Sequence, residues 1–470
     1  MYVCSGVTLI VSPELCNLAM YKVSKYNFYL EIEDKCYIYN AISNTYREFP
    51  LCVYNNLKKI DSLGRFIALD IEDCCLRELL SLRIIYDADM SEAQYLKHRR
   101  DLDVLDTMYS SLIVLPNLNC NLDCHYCYEK CKQGTLSLEN EEVLTSFLLN
   151  ETKRKKFLNI RWSGGEPMLS WAKIRRMSEH ILKGCEASGC DYSSSMITNG
   201  TLLTKTLIDE FLACSIKAIQ ITLDGDSELH NKIRYYRSNH KGTFDDILQN
   251  VCLASQKIKI HLRINVDKNN ITRMPYLFDE IAKAPINKKN VQLFCRPVMC
   301  SLARTPSTQI MSPSEFLEAE IILLNLAKER GLQYSFHRGI GGKSFRCCAN
   351  AIEGFYISPT LQLYKCPMFI DYDDKHTVGY ISKEGDVIIT NTNEFSIGLK
   401  KSPFDAGCKC KDCKVLPLCN GECIMQSYLS PTDPLAGCIP ERVSIEEKIK
   451  YAITNDIELE AFKRPGFLDN

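Results

Sequence analysis

Cys120, Cys124 and Cys127 form a C-x3-C-x2-C loop in the stretch Cys-Asn-Leu-Asp-Cys-His-Tyr-Cys-Tyr, residues 120–128. Three thiolates on a four-iron cluster leave one iron without a protein donor, whereas closed electron-carrying clusters use four cysteines. An open metal position is where a small molecule binds and reacts, the same logic that separates catalytic from structural zinc sites. Two plainer readings stand beside this one: a zinc half-site, or buried thiols acting as small hydrophobes in a chain with 25 cysteines among 470 residues. His125 and His230 read as solvated or packed histidines without assigned chemistry.

A second signature follows. The strand-like run Phe157 to Trp162 ends in Ser163-Gly164-Gly165-Glu166-Pro167. The two glycines let backbone approach a ligand closely, and the glutamate adds an acceptor for an ammonium group; alone, the same four residues make an ordinary turn. Further on, Cys410, Cys413, Cys419 and Cys423 are spaced x2, x5 and x3, with Cys438 after them and Cys347, Cys348 and Cys366 before them. That density is metal-ligand spacing, with a zinc ribbon as the structural alternative. Disulfides are not expected, since no secretory leader is apparent and the cysteine spread suits a reducing compartment.

The elements that must position these groups alternate. Strand-like apolar runs fall near 111–116, 157–162, 192–198, 216–223, 260–266 and 290–297, with helix-like segments between them, which argues for parallel strands with crossover helices. Ser312-Pro313-Ser314-Glu315 predicts a capping box with proline at the first helical position. Phe244, Ile247, Leu248, Val251 and Cys252 predict a helix with one buried face. Before this region, 26–32 and 36–39 read as strands joined by a polar turn, with a third strand near 45–46 and helices at about 51–60 and 73–86.

Together the two cysteine arrays resemble the radical S-adenosylmethionine (SAM) enzymes carrying a C-terminal SPASM extension. The resemblance implies an α/β fold: a partial (β/α)6 barrel over 106–335, a small α+β domain over 1–105, a cysteine-rich auxiliary-cluster domain over 336–450 and a tail over 451–470. It implies that Cys120, Cys124 and Cys127 hold a 4Fe–4S cluster whose fourth iron binds SAM, which is cleaved to a 5′-deoxyadenosyl radical. By position, Tyr126 corresponds to the aromatic near the adenine, Gly164, Gly165 and Glu166 to the motif receiving the methionyl amino group, and Thr222 and Arg234 to further SAM contacts. Asp224-Gly225 reads equally as a ligand or as a strand-ending turn. The site is expected at the C-terminal ends of the strands.

The SPASM pattern implies two auxiliary 4Fe–4S clusters: one on Cys410, Cys413, Cys419 and Cys438, the other on Cys348, Cys366 and Cys423. Its fourth ligand is left to Cys347, Cys408 or an open position. Two residues depart from the pattern. The glycine expected five residues before Cys366 is Leu361, so the hairpin there must turn differently, around Pro359-Thr360. Pro367 replaces the aspartate that follows this cysteine in anaerobic sulfatase-maturing enzymes, which argues against that activity.

The N-terminal order of three strands then helices is similar to winged-helix-like domains that recognise a precursor's leader segment, with an accessory packing domain as the alternative. The resemblance thus points to an oxidoreductase that matures a ribosomally made peptide or protein and draws electrons from a flavodoxin- or ferredoxin-type donor. A sulfatase-type protein maturase and a non-catalytic iron–sulfur or zinc scaffold are the alternatives. The charges, 57 basic against 58 acidic, supply no field for nucleic acid or an anionic membrane. No run reaches the ~18 apolar residues of a membrane span, and a cytoplasmic location is expected.

Overall fold

The computed structural model describes residues 8–10, 20–63, 66–70, 73–124, 126–127, 134–298, 310–334, 347–370, 374–399, 402–419, 421, 423, 438 and 441–455. His125 and residues 456–470 of the expected tail lie outside them.

Six strands, Tyr109–Asn117, Phe157–Gly164, Asp191–Ile197, Ile216–Thr222, Lys259–Val266 and Val291–Pro297, lie side by side in chain order, every neighbouring pair parallel. Helices separate them: Leu138–Arg154, Trp171–Ser188, Lys205–Ala213, Ser227–Ile233 with Phe244–Ser255, and Met274–Lys283. The strands are two-faced because successive side chains alternate. On Lys259–Val266, the residues Ile260, Leu262, Ile264 and Val266 are buried in one core with Phe244, Ile247 and Val251, while His261, Arg263 and Asn265 between them are only half-buried. The helix after the sixth strand, Pro313–Glu329, starts at the expected capping box: Ser312 accepts from the Glu315 N–H, and Glu315 accepts from the Ser312 N–H.

The sheet continues beyond these six strands. Gln333–Tyr334 pairs parallel with the sixth. On the opposite edge, Gly354–Ile357 pairs parallel with the first, and Gln362–Tyr364, Gly379–Ile381 and Val387–Ile389 follow antiparallel, giving eleven strands in all among the described residues. The hairpin before Cys366 turns through Pro359-Thr360, where the Leu361 N–H donates to Ser358 O at 3.0 Å. Leu361 itself has φ 63°, the left-handed conformation that a glycine adopts without strain. Its side chain is buried in the main core, so packing holds a leucine in a backbone shape suited to glycine.

The N-terminal block carries the three expected strands, Asn27–Ile32, Lys35–Asn40 and Thr45–Phe49, as one antiparallel sheet. A second sheet, which the sequence reading missed, joins Thr8–Ile10, Phe66–Asp70, Met20–Val23 and Ile85–Asp87. The helix expected over 73–86 is corrected to Asp73–Ser81. Arg83 takes a left-handed φ of 59°, which ends the helix, and the β-branched Ile84 and Ile85 are buried as the chain enters the second sheet. Tyr26, Phe28, Leu30 and Tyr39 share a core with Cys410, Val415, Leu416, Leu418 and with Ile445 and Ile449 of the helix Glu441–Thr454. Glu320 and Lys448 form a buried ion pair tying that helix to Pro313–Glu329.

Glu92 couples the first turn of the helix Glu92–Val104 to the loop at Ser24, whose hydroxyl and the Lys25 N–H both donate to it. Burial raises its carboxyl from 4.5 to about 7, with those two bonds opposing. The folded protein therefore holds this proton more tightly than the unfolded chain does. Its contribution is full below pH 4.5 and falls as pH rises towards 7, by about 3 kcal/mol. Glu92→Gln should remove that slope, so its stability relative to wild type should rise by this amount between pH 4.5 and 7.5. Parallel denaturation curves for the two proteins across that range would contradict the assignment. Among the described residues, no helix is long and apolar enough to cross a membrane.

Candidate active site

The cysteine loop leaves the C-terminal end of the first strand and is fastened on three sides. Asn117 makes an Asx turn, accepting from the Asn119 N–H at 3.0 Å, while its amide donates to Asn119 O and to Glu166 O, each at 3.0 Å. The Gly165 and Glu166 N–H groups donate to Asn117 O and Asn119 O at 3.0 and 2.9 Å. On the far side, the Asp123 N–H donates to Tyr235 O and the Arg237 N–H to Asn121 O, at 3.0 and 2.9 Å. From the third strand, Asn199 donates to Asn121 Oδ1 at 2.8 Å and reaches Cys120 Sγ at 3.7 Å.

Within the loop, the Cys127 N–H donates to Cys124 O at 3.1 Å, and the Leu122 N–H to Cys120 Sγ at 3.4 Å. Burial pushes the Cys120 thiol up to about 11 and raises Cys124, which the nearby Arg234 partly opposes. Thiolates in so buried a place need adjacent positive charge, which bound iron would provide. Among the described residues, no three cysteine, histidine or carboxylate side chains stand close enough to hold a single metal ion. The structure gives the loop, its anchors and its setting. That donor set fits an iron–sulfur group, because three cysteines share one anchored loop that packs directly on bare glycine backbone.

The Gly-Gly turn supplies that backbone. A Cβ on Gly164, at φ 119°, would lie 2.2 Å from Asn117 O, and one on Gly165 2.4 Å from Asn119 O. Gly164→Ala should destabilise the fold by roughly 1–3 kcal/mol and displace the cysteine loop. Gly134, at φ 133° with nothing within 4 Å of its Cβ, is the control for backbone strain alone. Equal denaturation midpoints for the two alanine variants would mean that the close approach is irrelevant.

Glu166 is fully buried, and its carboxylate accepts from Thr198 Oγ1 at 2.8 Å and from the Asn199 and Met168 N–H groups at 2.7 and 3.0 Å. Its side chain therefore pins the second strand to the third, and its backbone stands beside the cysteine loop. Tyr126 and Arg234, both expected beside SAM, are brought into direct contact: Arg234 Nη1 donates to Tyr126 Oη at 2.6 Å, and Tyr126 donates to Asp224. Asp224 also takes Arg234 at 3.5 Å and the Asn265 amide at 2.9 Å. It is therefore the hub of this group rather than a plain turn residue.

Thr222 is half-buried and pairs in register with Arg263, one strand from Asn265. His230 is fully buried; its Nδ1 accepts from the Asp224 N–H at 3.3 Å, and its Nε2 meets Thr243 Oγ1 at 3.1 Å. Burial first, then Arg234, lowers its pKa to about 3, so it is a neutral packed histidine.

Asn117, Asn199 and Asn265 were missed from sequence. Asn117 had a readable signal, since asparagines at 117 and 119 leading into Cys120 favour Asx turns. Asn199 and Asn265 act across strands, which no local pattern reveals.

In the second array, Cys348 and Cys366 pack against one small cluster with Ile113, Leu115, Tyr364 and Phe369, whereas Cys347 is exposed. Lys365 holds this corner: buried, it donates to Ala351, Ile352 and Gly354 carbonyls at 2.8, 3.3 and 3.0 Å. Cys410 is buried, while Cys408, Cys413 and Cys419 are half-buried against the same core. Cys423 is exposed and Cys438 half-buried.

Residues 114–279 match the family model for the radical SAM superfamily. The chain is 25% identical over 339 residues to a cysteine-type anaerobic sulfatase-maturating enzyme of Clostridium novyi, covering 67% of this chain and 87% of that protein. It is 24% identical over 183 residues to the radical SAM cyclopropyl synthase TigE of Paramaledivibacter caminithermalis, 32% of this chain and 38% of the other. The solved structure of native anSMEcpe with bound AdoMet and the Cp18Cys peptide has the same fold, at a TM-score of 0.57 and 20% identity over 74% of this chain and 100% of that one. The parallel strands, the anchored cysteine loop and these likenesses converge: residues 114–279 are a radical SAM domain, and the homology of the chain to radical SAM proteins marks it as an enzyme.

Proposed function

We propose that the protein is a peptide maturase in which Cys120, Cys124 and Cys127 hold the SAM-binding 4Fe–4S cluster and SAM lies against Tyr126, Gly164, Gly165, Glu166, Thr222 and Arg234. The carrying observation is the junction where the cysteine loop, the Gly-Gly turn and the Tyr126–Asp224–Arg234 group meet at the ends of the first, second and fourth strands. When bound, the cluster and SAM supply a radical that takes a hydrogen atom from substrate. The chain's own part is to fix that chemistry in place: Asp224 and Arg234 hold the Tyr126 ring, Asn117 sets the loop on the glycine turn, and Glu166 locks the second and third strands.

Two auxiliary 4Fe–4S clusters complete the reading, one on Cys410, Cys413, Cys419 and Cys438, the other on Cys348, Cys366 and Cys423. The division into 1–105, 106–335, 336–450 and a tail belongs to the same proposal, as do an external flavodoxin- or ferredoxin-type electron donor and a reducing, cytoplasmic setting. Residues 1–105 would recognise the precursor. Because Tyr26, Phe28 and Leu30 share a core with Cys410 to Leu418, deleting the block would uncover that core. Substitutions along the edge strand Thr45–Phe49 are the cleaner probe of recognition.

A sulfatase-type maturase is the second reading, favoured by the match across 87% of the Clostridium novyi enzyme and opposed by Pro367 after Cys366. Anaerobically reconstituted, reduced protein with SAM is incubated separately with a candidate precursor peptide and with a sulfatase-derived peptide, each deuterated at its target residue. Deuterium in 5′-deoxyadenosine from the precursor alone, with loss of two hydrogens from that peptide, supports the leading reading. Transfer from the sulfatase peptide alone replaces it with the second.

A further inference from the structure

Tyr26 is fully buried, yet its hydroxyl has no hydrogen-bond partner, a costly state for a polar group inside a protein. Its backbone is firmly placed, with its N–H donating to Ser24 Oγ at 3.2 Å and its carbonyl accepting from Ala41 at 3.0 Å. The ring lies in the core that contains Cys410, with Cys408, Cys413 and Cys419 packed against it.

The residues on either side of Tyr26 grip the segment that carries those cysteines. Lys25 donates to Lys411 O at 2.9 Å and faces Asp412 at 3.9 Å, while Lys414 donates to Asn27 O at 3.4 Å and lies over the Phe28 ring. Residues 25 and 27 thus bracket Tyr26 as residues 411, 412 and 414 bracket Cys413. Cys410 and Cys413 form a tight turn, the Cys413 N–H donating to Cys410 O at 3.1 Å.

A buried donor without an acceptor, in a core lined by cysteines at metal-ligand spacing, is explained by a group that offers sulfur as the acceptor. We propose that Tyr26 donates its hydroxyl hydrogen to a sulfur of the cluster held by Cys410, Cys413, Cys419 and Cys438, so that the N-terminal sheet sets that cluster's reduction potential. This rests on the auxiliary-cluster reading given above. A hydrogen bond to sulfur stabilises the reduced, more negative cluster and raises its potential.

The test uses the full-length, anaerobically reconstituted protein and a redox titration followed by electron paramagnetic resonance. Tyr26→Phe removes one oxygen that bonds nothing else, so iron content should stay at the wild-type value. The potential of one cluster should fall by about 59 mV, a tenfold change in a one-electron equilibrium. Tyr39→Phe is the control: Tyr39 lies in the same core but donates to Asn44 Oδ1 at 2.7 Å, so its loss should leave every potential in place.

Unmoved potentials in Tyr26→Phe at full iron loading would overturn the assignment, as would an equal shift in Tyr39→Phe. Should Tyr26→Phe load less iron, wild type decides the matter. An exchangeable proton coupled to that cluster's resonance signal in water and absent in deuterium oxide supports the bond, and its absence refutes it. The underlying reading fails in a different way: Cys413→Ala would then keep all of its iron.

Discussion

Cys124→Ala should abolish 5′-deoxyadenosine formation while leaving the protein folded. Cys124 is the middle ligand of the proposed three, it is buried, and the turn from its carbonyl to the Cys127 N–H is made by backbone that alanine keeps. The loop would stay anchored to Asn117, Tyr235 and Arg237, yet two thiolates cannot hold a four-iron cluster open at one position only. Iron should fall from about twelve to about eight per chain, as the loss of one of three four-iron clusters requires. Cys252→Ala, on a helix away from the loop, should change neither quantity. Product from Cys124→Ala at the wild-type rate would remove the loop from the active site. A wild-type content near four would keep the loop and remove the auxiliary clusters.

Glu166→Gln should unfold the protein at markedly lower denaturant, by about 3–5 kcal/mol. The change keeps shape but replaces one acceptor oxygen with an amide that donates, opposite three groups that are themselves donors: Thr198 Oγ1 and the Asn199 and Met168 N–H groups. Bonds to a buried carboxylate are worth about 1.5–3 kcal/mol each, and a donor left unpaired costs a further amount of that order. Burial raises the Glu166 pKa, and the Asn199, Thr198 and Met168 bonds oppose this; three donors aimed at its two oxygens are the partners that a carboxylate takes. An unchanged midpoint for Glu166→Gln, with SAM affinity also unchanged, would show that the carboxylate is dispensable in both roles.

The six parallel strands and the capping box at Ser312 were legible because each is written in local spacing: period two and a four-residue cap. What stayed hidden depends on distant pairing. Nothing near Asp224 reveals that it gathers Tyr126, Arg234 and Asn265, residues 98, 10 and 41 positions away. The helix predicted through residue 86 stops at Ser81, because Ile85 is claimed by a strand at Met20–Val23. Leu361 shows the reverse limit: the position marked for a glycine does take glycine's backbone shape, but the packing that holds a leucine there is tertiary.

The pairing of Gly354–Ile357 with the first strand bears on how the chain is made. Ser110 and Glu353, which meet across that seam, are 243 residues apart in sequence. During synthesis the strand that leads into the cysteine loop emerges early and acquires its second-strand partner soon afterwards, but its other edge stays bare until residue 357 has left the ribosome. An uncovered strand edge invites pairing with other chains, and contacts this distant form slowly. Chains that stop short of residue 354 should therefore collect as aggregates, and the nascent protein depends on whatever shields that edge in the meantime.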